Sequence, residues 1–364
     1  MTAPATRLTP AQDAALHRLR TTARAAHGAA LDRLARQGVT PDAAEALIAA
    51  LRGHARVTLN FHPDRLLADG RTTVAAGIAA DGRYRGQYET GLSNGSRTAH
   101  PGGLRDGWEH TLFGGAYADA GAAERPKYGA LDVMRHPDGA APRFGSCHVR
   151  LRPEATARAT FCFGDSHVGP ADVGTADALH SVLAALLEDA RASGQSLGVR
   201  GADPVAEIGA LTGPRPARGP GRSLDFYVEA QVHGEVDLAV DAEALVLDPS
   251  FRGTEAGELL GGLGLPVEWH TGFVLGPEVS DEELAAFRGP GLVPLAARVR
   301  ESFGAGGLID AACVGRAAAS AVTEPGAWSA YGSPEEVLQY VKQVWHCLVR
   351  FGRSGGDGGP AARS

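Results

Sequence analysis

The sequence predicts a large α+β protein. Helical periodicity fills the first 50 residues, short alternating or β-branched segments follow, and helix-start signals return in the last third. With 364 residues, 44% of them hydrophobic, the chain is long enough to bury a sizeable core. We expect a helical N-terminal region at 1–53, an α+β catalytic domain at 54–276, a helical C-terminal region packed on it at 277–352 and a disordered tail at 353–364.

Two helices are expected at the N-terminus, because Thr9-Pro10 and Thr40-Pro41 both place a capping hydroxyl before a proline at a helix start. Gly38 ends the first of them. Residues 55–61 alternate and are β-branched, which predicts a strand that stops before Pro63. The strand leaves His62 at its end.

The middle of the chain is expected to form the site. Residues 70–145 are rich in glycine and polar residues, which predicts long loops with 108–113 as the one short helix. Strands are expected at 144–151 and 157–164, followed by a helix at 174–192.

The last part of the chain combines two further strands with helices. Residues 198–222 are rich in Gly, Pro and Arg, which predicts a surface loop. Alternation predicts a half-buried strand at 224–236, and a second strand follows at 242–247. Capping boxes at 280–283 and 333–336 mark helix starts, and the second of them opens a helix at 334–350.

Composition excludes several functional classes. A net charge of −7 argues against a protein built mainly to hold nucleic acid, since that task needs clustered positive charge. No apolar run approaches the roughly 20 residues of a membrane helix, and no secretory signal is visible, so we expect a cytoplasmic protein without a membrane partner. The four cysteines lack CxxC spacing and are expected to be reduced, mostly buried thiols. Phosphate-loop, dinucleotide-fold, zincin and hydrolase signatures are missing from the sequence.

Two polar segments are candidates for nucleotide contacts. His62 and Arg65 follow the first strand and could hold a phosphate or a ribose hydroxyl, although a turn with an Asp64–Arg65 ion pair fits as well. Residues 83–95 combine Arg85, tyrosines and glycines with Ser93 and Asn94. Such a loop could approach a ligand with its backbone, or it could form a solvated hairpin around Asn-Gly.

A third candidate joins Tyr128-Gly129 with residues 161–167. Tyr128 could stack on a ring and Ser166 could hydrogen-bond an amide, whereas the alternatives are a core tyrosine and a turn serine. Asp165 and His167 suggest a metal pair, but the usual ligand spacings are missing, so no metal is expected.

The fourth candidate is the alternating segment 227–233. A two-residue period places Tyr227, Glu229, Gln231 and His233 on one face of the sheet, where they would line a cleft together. The alternative is the solvent face of an edge strand.

Six segments carry a resemblance over most of residues 10–350. They are NFHPDR, RYRGQYETGLSNG, ERPKYGALD, RFGSCHVRL, ATFCFGDSH and EAQVHGEVDL. Together they resemble an uncharacterised bacterial family, a domain of unknown function. Their later order is also similar to that of ADP-ribosyltransferase-like domains, notably the toxin and phage-capsid-associated branches.

The ADP-ribosyltransferase resemblance implies a split, mixed β-sheet that binds NAD as substrate and cleaves its nicotinamide–ribose bond. The acceptor would be a protein, a nucleic acid or water. Neither a Ser-Thr-Ser motif nor an ExE pair is present, since the late strand reads Glu229-Ala-Gln231. The implied catalytic residues are Glu229, Gln231, Tyr128 and His62. The implied NAD-binding residues are Arg65, Arg85, Ser93, Asn94, Gly129, Ser166 and His233, with His62, Arg65 and Arg85 as alternatives for the first-strand role.

Two other functions remain open at this point. One is a metal-dependent hydrolase that uses His62, Asp64, Asp165, His167 and His233. The other is a non-catalytic binding or immunity-type module.

Overall fold

The structure, a computed structural model, describes residues 6–91 and 99–355. The strands are β1 (Arg56–Phe61), β2 (Lys127–Asp132), β3 (Cys147–Leu151), β4 (Ala159–Phe163), β5 (Val173–Thr175), β6 (Gln195–Ser196), β7 (Val199–Arg200), β8 (Val228–Val232), β9 (Ala242–Leu247) and β10 (Val267–Trp269). The helices are α1 (Pro10–Ala25), α2 (His27–Arg36), α3 (Pro41–His54), α4 (Val74–Asp81), α5 (Gln87–Thr90), α6 (Leu104–Phe113), α7 (Pro153–Thr156), α8 (His180–Ser193), α9 (Pro204–Gly209), α10 (Leu238–Asp241), α11 (Glu255–Gly261), α12 (Asp281–Arg288), α13 (Leu292–Phe303), α14 (Ala311–Thr323) and α15 (Pro334–Phe351).

One mixed sheet organises the described residues. Its eight strands follow the order β10-β9-β3-β1-β2-β8-β4-β5. All neighbours are antiparallel except β9 and β10, which are parallel. The predicted α+β class with a mixed sheet is therefore confirmed. The strands of this sheet pair continuously from one edge to the other.

The helix starts that were predicted from capping residues agree with the structure because each has a local cap, although the first predicted helix is divided at Ala26 into α1 and α2. The Thr9 side chain accepts from the Gln12 amide while the Gln12 side chain accepts from the Thr9 amide, which satisfies two free donors of α1. Ser280 and Ser333 form the same reciprocal pattern at α12 and α15. At the other end of α8, Gly194 adopts a left-handed conformation with φ of 68° and ends the helix as predicted.

The apolar face of the sheet forms the main core. Val57 and Leu59 of β1 and Val228 of β8 are almost fully buried on this face. They belong to a cluster that also contains buried residues of α3 and α8. Helices α2, α3 and α8 contact one another and close this side of the sheet.

The opposite face of the sheet is polar and equally buried. Every residue of β8 is buried, because the strand lies between β2 and β4 and α1 and α6 cover the polar face. The alternative of an edge strand with a solvent face is therefore wrong for β8. A face that is both polar and buried must satisfy its own hydrogen bonds.

Several elements differ from the sequence prediction. Residues 70–145 contain the central strand β2 and the helix α4 in addition to α6. Strand β2 was not predicted, because its sequence, Lys-Tyr-Gly-Ala-Leu-Asp, has weak strand propensity and little alternation of polar and apolar residues. Hydrogen bonding to β1 and β8 on its two sides stabilises it instead.

Two smaller corrections concern predicted loops and helix limits. The surface loop predicted at 198–222 contributes β7 to a short hairpin with β6 and contains α9. The helix predicted to begin at residue 174 begins at His180, since β5 precedes it. All four cysteines are free and buried, as the sequence predicted.

The C-terminal helix α15 is anchored to the centre of the molecule. The indole nitrogen of Trp345 donates to the carbonyl of Pro142 over 2.7 Å, and both residues are buried. None of the helices in the described ranges is long and apolar enough to cross a lipid bilayer.

We predict that Gly129→Ala lowers the free energy of unfolding by about 1–3 kcal/mol, the usual cost of overpacking. A Cβ at this position would lie 2.4 Å from the Thr58 carbonyl oxygen and 2.6 Å from Leu59 Cδ2, so β1 and β2 would have to separate. Urea unfolding measures the change. Gly107→Ala is the control, because its Cβ has no neighbour within 4 Å and alanine favours the α6 helix by up to about 1 kcal/mol. Equal stabilities of the two variants would contradict the packing argument.

Candidate functional site

A cavity of about 390 Å³ opens on the polar face of the sheet. Its floor is formed by residues at the ends of β1, β2 and β8, and its walls include parts of α6 and α15. The volume lies in the range of about 300–1,000 Å³ that is usual for small-molecule sites. The cavity is therefore large enough to hold a ligand of nucleotide size.

The cavity gathers most of the predicted site residues. Those that line it are His62, Arg65, Arg85, Tyr128, Gly129 and Glu229. Ser166, Gln231 and His233 lie behind the wall, where they act on Glu229 directly or through neighbours. Ser93 and Asn94 lie outside the described residues.

Glu229 is the buried acidic group of the cavity wall. It is 5% exposed and accepts hydrogen bonds from Gln231 Nε2 at 2.8 Å and from the Ser166 amide at 3.3 Å. Burial, with a further contribution from the negative charge of Asp165, raises the pKa of Glu229 to about 7. The two hydrogen bonds thus fix the orientation of the carboxyl group. At neutral pH its protonated and ionised forms are present in similar amounts.

A chain of hydrogen bonds holds Glu229 from behind. Gln231 Nε2 donates to Glu229, and Gln231 Oε1 accepts from the Thr160 hydroxyl at 2.8 Å. The single Thr160 proton is then used, so His233 Nε2 donates to Thr160 at 3.0 Å. His233 Nδ1 must accept from the Tyr117 hydroxyl, which lies at 2.5 Å. Every donor along the chain points toward Glu229.

His233 is part of this support and does not reach the cavity. Burial, followed by the charges of Arg158 and Lys127, lowers the pKa of His233 to about 3, so the ring is neutral at physiological pH. A neutral ring is what the two hydrogen bonds require, since Nδ1 accepts and Nε2 donates. Four residues were predicted to line a cleft together, namely Tyr227, Glu229, Gln231 and His233. Of these four, Glu229 alone contributes to the wall of this cavity.

Tyr128 presents its ring to the cavity and turns its hydroxyl away. The hydroxyl donates to Glu109 Oε1 at 2.7 Å, and Arg125 donates to the other oxygen of Glu109 at 2.9 Å. The guanidinium of Arg105 lies over the Tyr128 ring with 4.4 Å to the centroid. A stacking role for Tyr128 is therefore compatible with the structure, whereas its hydroxyl is already engaged.

His62 lies beside helix α15. Its ring packs edge to face against Trp345 with a centroid separation of 5.1 Å, and Nδ1 lies 3.3 Å from the Ser146 hydroxyl. Burial, followed by the charge of Arg65, lowers the pKa of His62 well below its usual value. His62 is thus a neutral hydrogen-bonding group on the cavity wall.

Two cations of the wall form no ion pair in the described part of the chain, although the charges of Asp64 and Asp165 act on Arg65 and Lys342 respectively. Neither the Arg65 guanidinium nor the Lys342 ammonium has a carboxylate oxygen within 4.0 Å among residues 6–91 and 99–355. Burial, with the charges of Arg143 and Arg288, lowers the pKa of Lys342 to about 8. Half-buried cations that form no ion pair favour an anionic ligand.

The other cations of the wall are engaged. Arg85 forms an ion pair with Asp81 at 2.5 Å, and Arg143 forms one with Asp225 at 2.5 Å. Of the three residues proposed for the first-strand role, His62 is hydrogen-bonded and Arg85 is paired. Arg65 is therefore the candidate best placed to contact a phosphate.

Three polar atoms of the wall are buried without a partner. Among the described residues, no hydrogen-bond partner lies near Gln87 Oε1, an acceptor, or near the donors Trp108 Nε1 and Arg143 Nε. Buried polar groups are normally satisfied. A ligand that carries both an amide donor and a carbonyl acceptor would satisfy Gln87 Oε1 and Trp108 Nε1.

The residues considered from the sequence as metal ligands do not come together around one point in the described residues. His62, Asp64, Asp165, His167 and His233 form no group of three with ligand atoms close enough for one ion in residues 6–91 and 99–355. Asp165 instead pairs with His167 Nδ1 at 2.8 Å and accepts from Tyr227 at 2.9 Å. Their geometry does not favour a metal-dependent hydrolase.

Sequence reasoning missed Lys342, Trp108 and Gln87 as residues of the cavity. A signal for Lys342 was available, because it is one of only two lysines beside 33 arginines in the sequence. In a sequence with so strong a preference for arginine over lysine, a lysine is more often kept because its position requires it. Trp108 and Gln87 carried no comparable signal.

A known protein family matches residues 56–351, a segment that includes every cavity-lining residue from Asn60 to Lys342. The chain belongs to the DUF3626 family. The family is described as a protein of unknown function. This membership confirms the predicted resemblance to a domain of unknown function, while the similarity of the later segments of the chain to ADP-ribosyltransferase-like domains stays a prediction. No curated protein matches the chain.

We predict that wild type loses stability relative to Glu229→Gln as the pH rises. The pKa of Glu229 is about 7 in the folded chain and 4.5 in its usual state, so ionisation opposes folding between these values. The difference in unfolding free energy should change by about 3 kcal/mol between about pH 4 and pH 8. Urea unfolding at both limits measures it.

The control for this experiment is Glu235→Gln. Glu235 is about half exposed and pairs with Arg83 away from the cavity. Its stability should follow that of wild type at both pH values. Parallel pH profiles for wild type and Glu229→Gln would show that Glu229 is not a high-pKa group.

Proposed function

We propose that the chain cleaves the bond between nicotinamide and ribose in NAD, as an ADP-ribosyltransferase or an NAD glycohydrolase. The observation that carries the proposal is the fixed, buried carboxylate of Glu229 in a cavity that also presents the unpaired cations Arg65 and Lys342. The proposal includes an ADP-ribosyltransferase-like arrangement of the sheet and makes NAD the substrate.

The chemistry follows from the charges that develop in this reaction. As the bond between ribose C1′ and the nicotinamide nitrogen breaks, the electron pair leaves with neutral nicotinamide, and C1′ becomes an oxocarbenium-like cation. A carboxylate held in a fixed position stabilises that cation. Water, or a nucleophile of a macromolecular acceptor, then attacks C1′ and loses a proton.

The hydrogen bonds to Glu229 suit this role. Gln231 and the Ser166 amide hold the carboxylate before the substrate arrives, so little reorganisation is needed during the reaction. Gln231 is in this proposal a positioning residue. The positively charged pyridinium of NAD would also favour ionised Glu229 and lower its pKa in the complex.

The remaining contacts fit the rest of a dinucleotide. Arg65 and Lys342 supply the positive charge that a diphosphate requires. Tyr128 offers a ring surface, and Gln87 and Trp108 supply an unused acceptor and an unused donor for a carboxamide or a base. His62 offers a neutral hydrogen-bonding group on the same wall.

We predict that Glu229→Gln lowers the rate of nicotinamide release by at least about 100-fold while the affinity for NAD is retained, since one transition-state stabiliser is lost. Chromatography of purified protein incubated with NAD measures the release, and Glu235→Gln is the control. In wild type, kcat/KM should rise as the pH increases through about 7, because the ionised form of Glu229 is required.

Two results would contradict the NAD proposal. One is full nicotinamide release by Glu229→Gln. The other is a wild-type protein that shows no nicotinamide release and no increase in melting temperature with NAD, which would favour a non-catalytic binding module.

We predict that Arg65→Gln and Lys342→Gln each weaken the binding of ADP-ribose by about 10–100-fold, the usual effect of losing a charge-assisted hydrogen bond. ADP-ribose serves as the probe because it lacks the cleaved bond. Calorimetry in the Glu229→Gln background measures the affinity, and Arg52→Gln on the exposed side of α3 is the control. Unchanged affinity for ADP-ribose in both variants would contradict the placement of the diphosphate beside Arg65 and Lys342.

A further inference from the structure

A second group of titratable residues lies on the opposite face of the sheet from the cavity. His27 begins α2, Glu45 lies on α3 and His180 begins α8. One ligand atom from each of the three residues lies within 4.8 Å of the corresponding atoms of the other two. Three separate helices therefore converge on one point.

The contacts within this group are close. His180 Nε2 lies 3.0 Å from Glu45 Oε1, and the two imidazole rings pack edge to face with centroids 4.2 Å apart. The His180 side chain is 8% exposed, whereas that of Glu45 is 65% exposed. The group thus has a buried side, fixed by α8, and a side open to solvent.

An ordinary ion pair explains only part of this arrangement. A hydrogen bond between His180 and an exposed glutamate contributes at most about 1 kcal/mol, and it gives no reason for a second imidazole beside the first. Two protonated imidazoles at this separation would repel each other. Two neutral imidazoles and a carboxylate, by contrast, form a ligand set typical of zinc.

We propose that His27, Glu45 and His180 bind a zinc ion, with water in the fourth position. Each residue contributes one ligand atom, and the solvent-exposed side of Glu45 provides the route of entry.

The position of the site would let the ion link three helices. His27 and Glu45 precede the segment 56–351 that the family matches, and His180 lies within it. A zinc ion would therefore connect the N-terminal helices α2 and α3 to α8. Arg33 of α2 already pairs with Glu188 of α8 at 2.6 Å, so the metal would strengthen a contact that exists without it.

We predict stoichiometric zinc binding by the full chain, with a rise in melting temperature of roughly 3–5 °C at saturating zinc. The protein is prepared without a histidine tag, treated with a chelator and titrated with zinc chloride in a calorimeter. Magnesium chloride is titrated in parallel and should give no comparable heat, because Mg²⁺ prefers an oxygen-only octahedral site. Neither readout uses NAD, so the result is independent of the proposed function.

The variants His27→Gln and Glu45→Gln should each weaken zinc binding by at least about 100-fold, since even outer partners of metal ligands contribute about 10–100-fold. Both residues are at least partly exposed, so these variants are expected to fold. His17→Gln, an exposed histidine on α1, is the matched control and should bind zinc as wild type does. Failure of wild type to bind one zinc ion would overturn the proposal, as would binding that is unchanged in the double variant of His27 and Glu45.

Discussion

The candidate site depends on the hydrogen bonds that hold the Glu229 carboxylate on the side away from the cavity. A carboxylate in a buried strand is unfavourable unless its oxygens are satisfied. Gln231 and the Ser166 amide satisfy them here, and Thr160, His233 and Tyr117 complete the donors behind Gln231. If one link of the chain were apolar, the next group would be buried without a partner. The polar face of β8 is therefore a connected unit.

Charges of both signs line the cavity, but several of them do not pair with one another. Glu229 is fixed on β8, Arg65 follows β1 and Lys342 lies on α15, so three elements of the fold keep these groups apart. A ligand with an anionic and a cationic part would neutralise both kinds of group at once. NAD has a diphosphate and a pyridinium, which is the physical reason that we prefer it to a purely anionic nucleotide.

Local patterns allowed part of the fold and of the site to be predicted from the sequence. The capped helices α1, α3, α12 and α15 and the strands β1, β8 and β9 have clear periodicity or caps. Glu229 and His62 could be proposed because polar groups on a strand face or at a strand end are positioned by the strand itself.

Long-range packing determined the features that the sequence did not reveal. Strand β2 owes its conformation to its two neighbours, so its own composition gave little indication. The cavity wall joins Lys342 to residues more than 100 positions earlier, and no local rule predicts that contact. The burial of His233 could not be predicted either. Its alternation with Glu229 and Gln231 does not show that α6 and Tyr117 cover His233 on that face of the sheet.

The N-terminal helices affect the cavity without lining it. Ala15 and Leu19 of α1 pack against Phe113 at the end of α6 and against Tyr117, in a cluster separate from the main core. Helix α6 in turn carries Trp108 and Arg105 in the cavity wall and Glu109 behind Tyr128. A change in the packing of α1 would therefore affect Tyr128 through its hydrogen bond to Glu109. It would also affect Glu229, through the chain of hydrogen bonds that begins at Tyr117. The segment that the family matches contains the cavity-lining residues that the structure describes, whereas α1, which packs against the end of α6, precedes that segment.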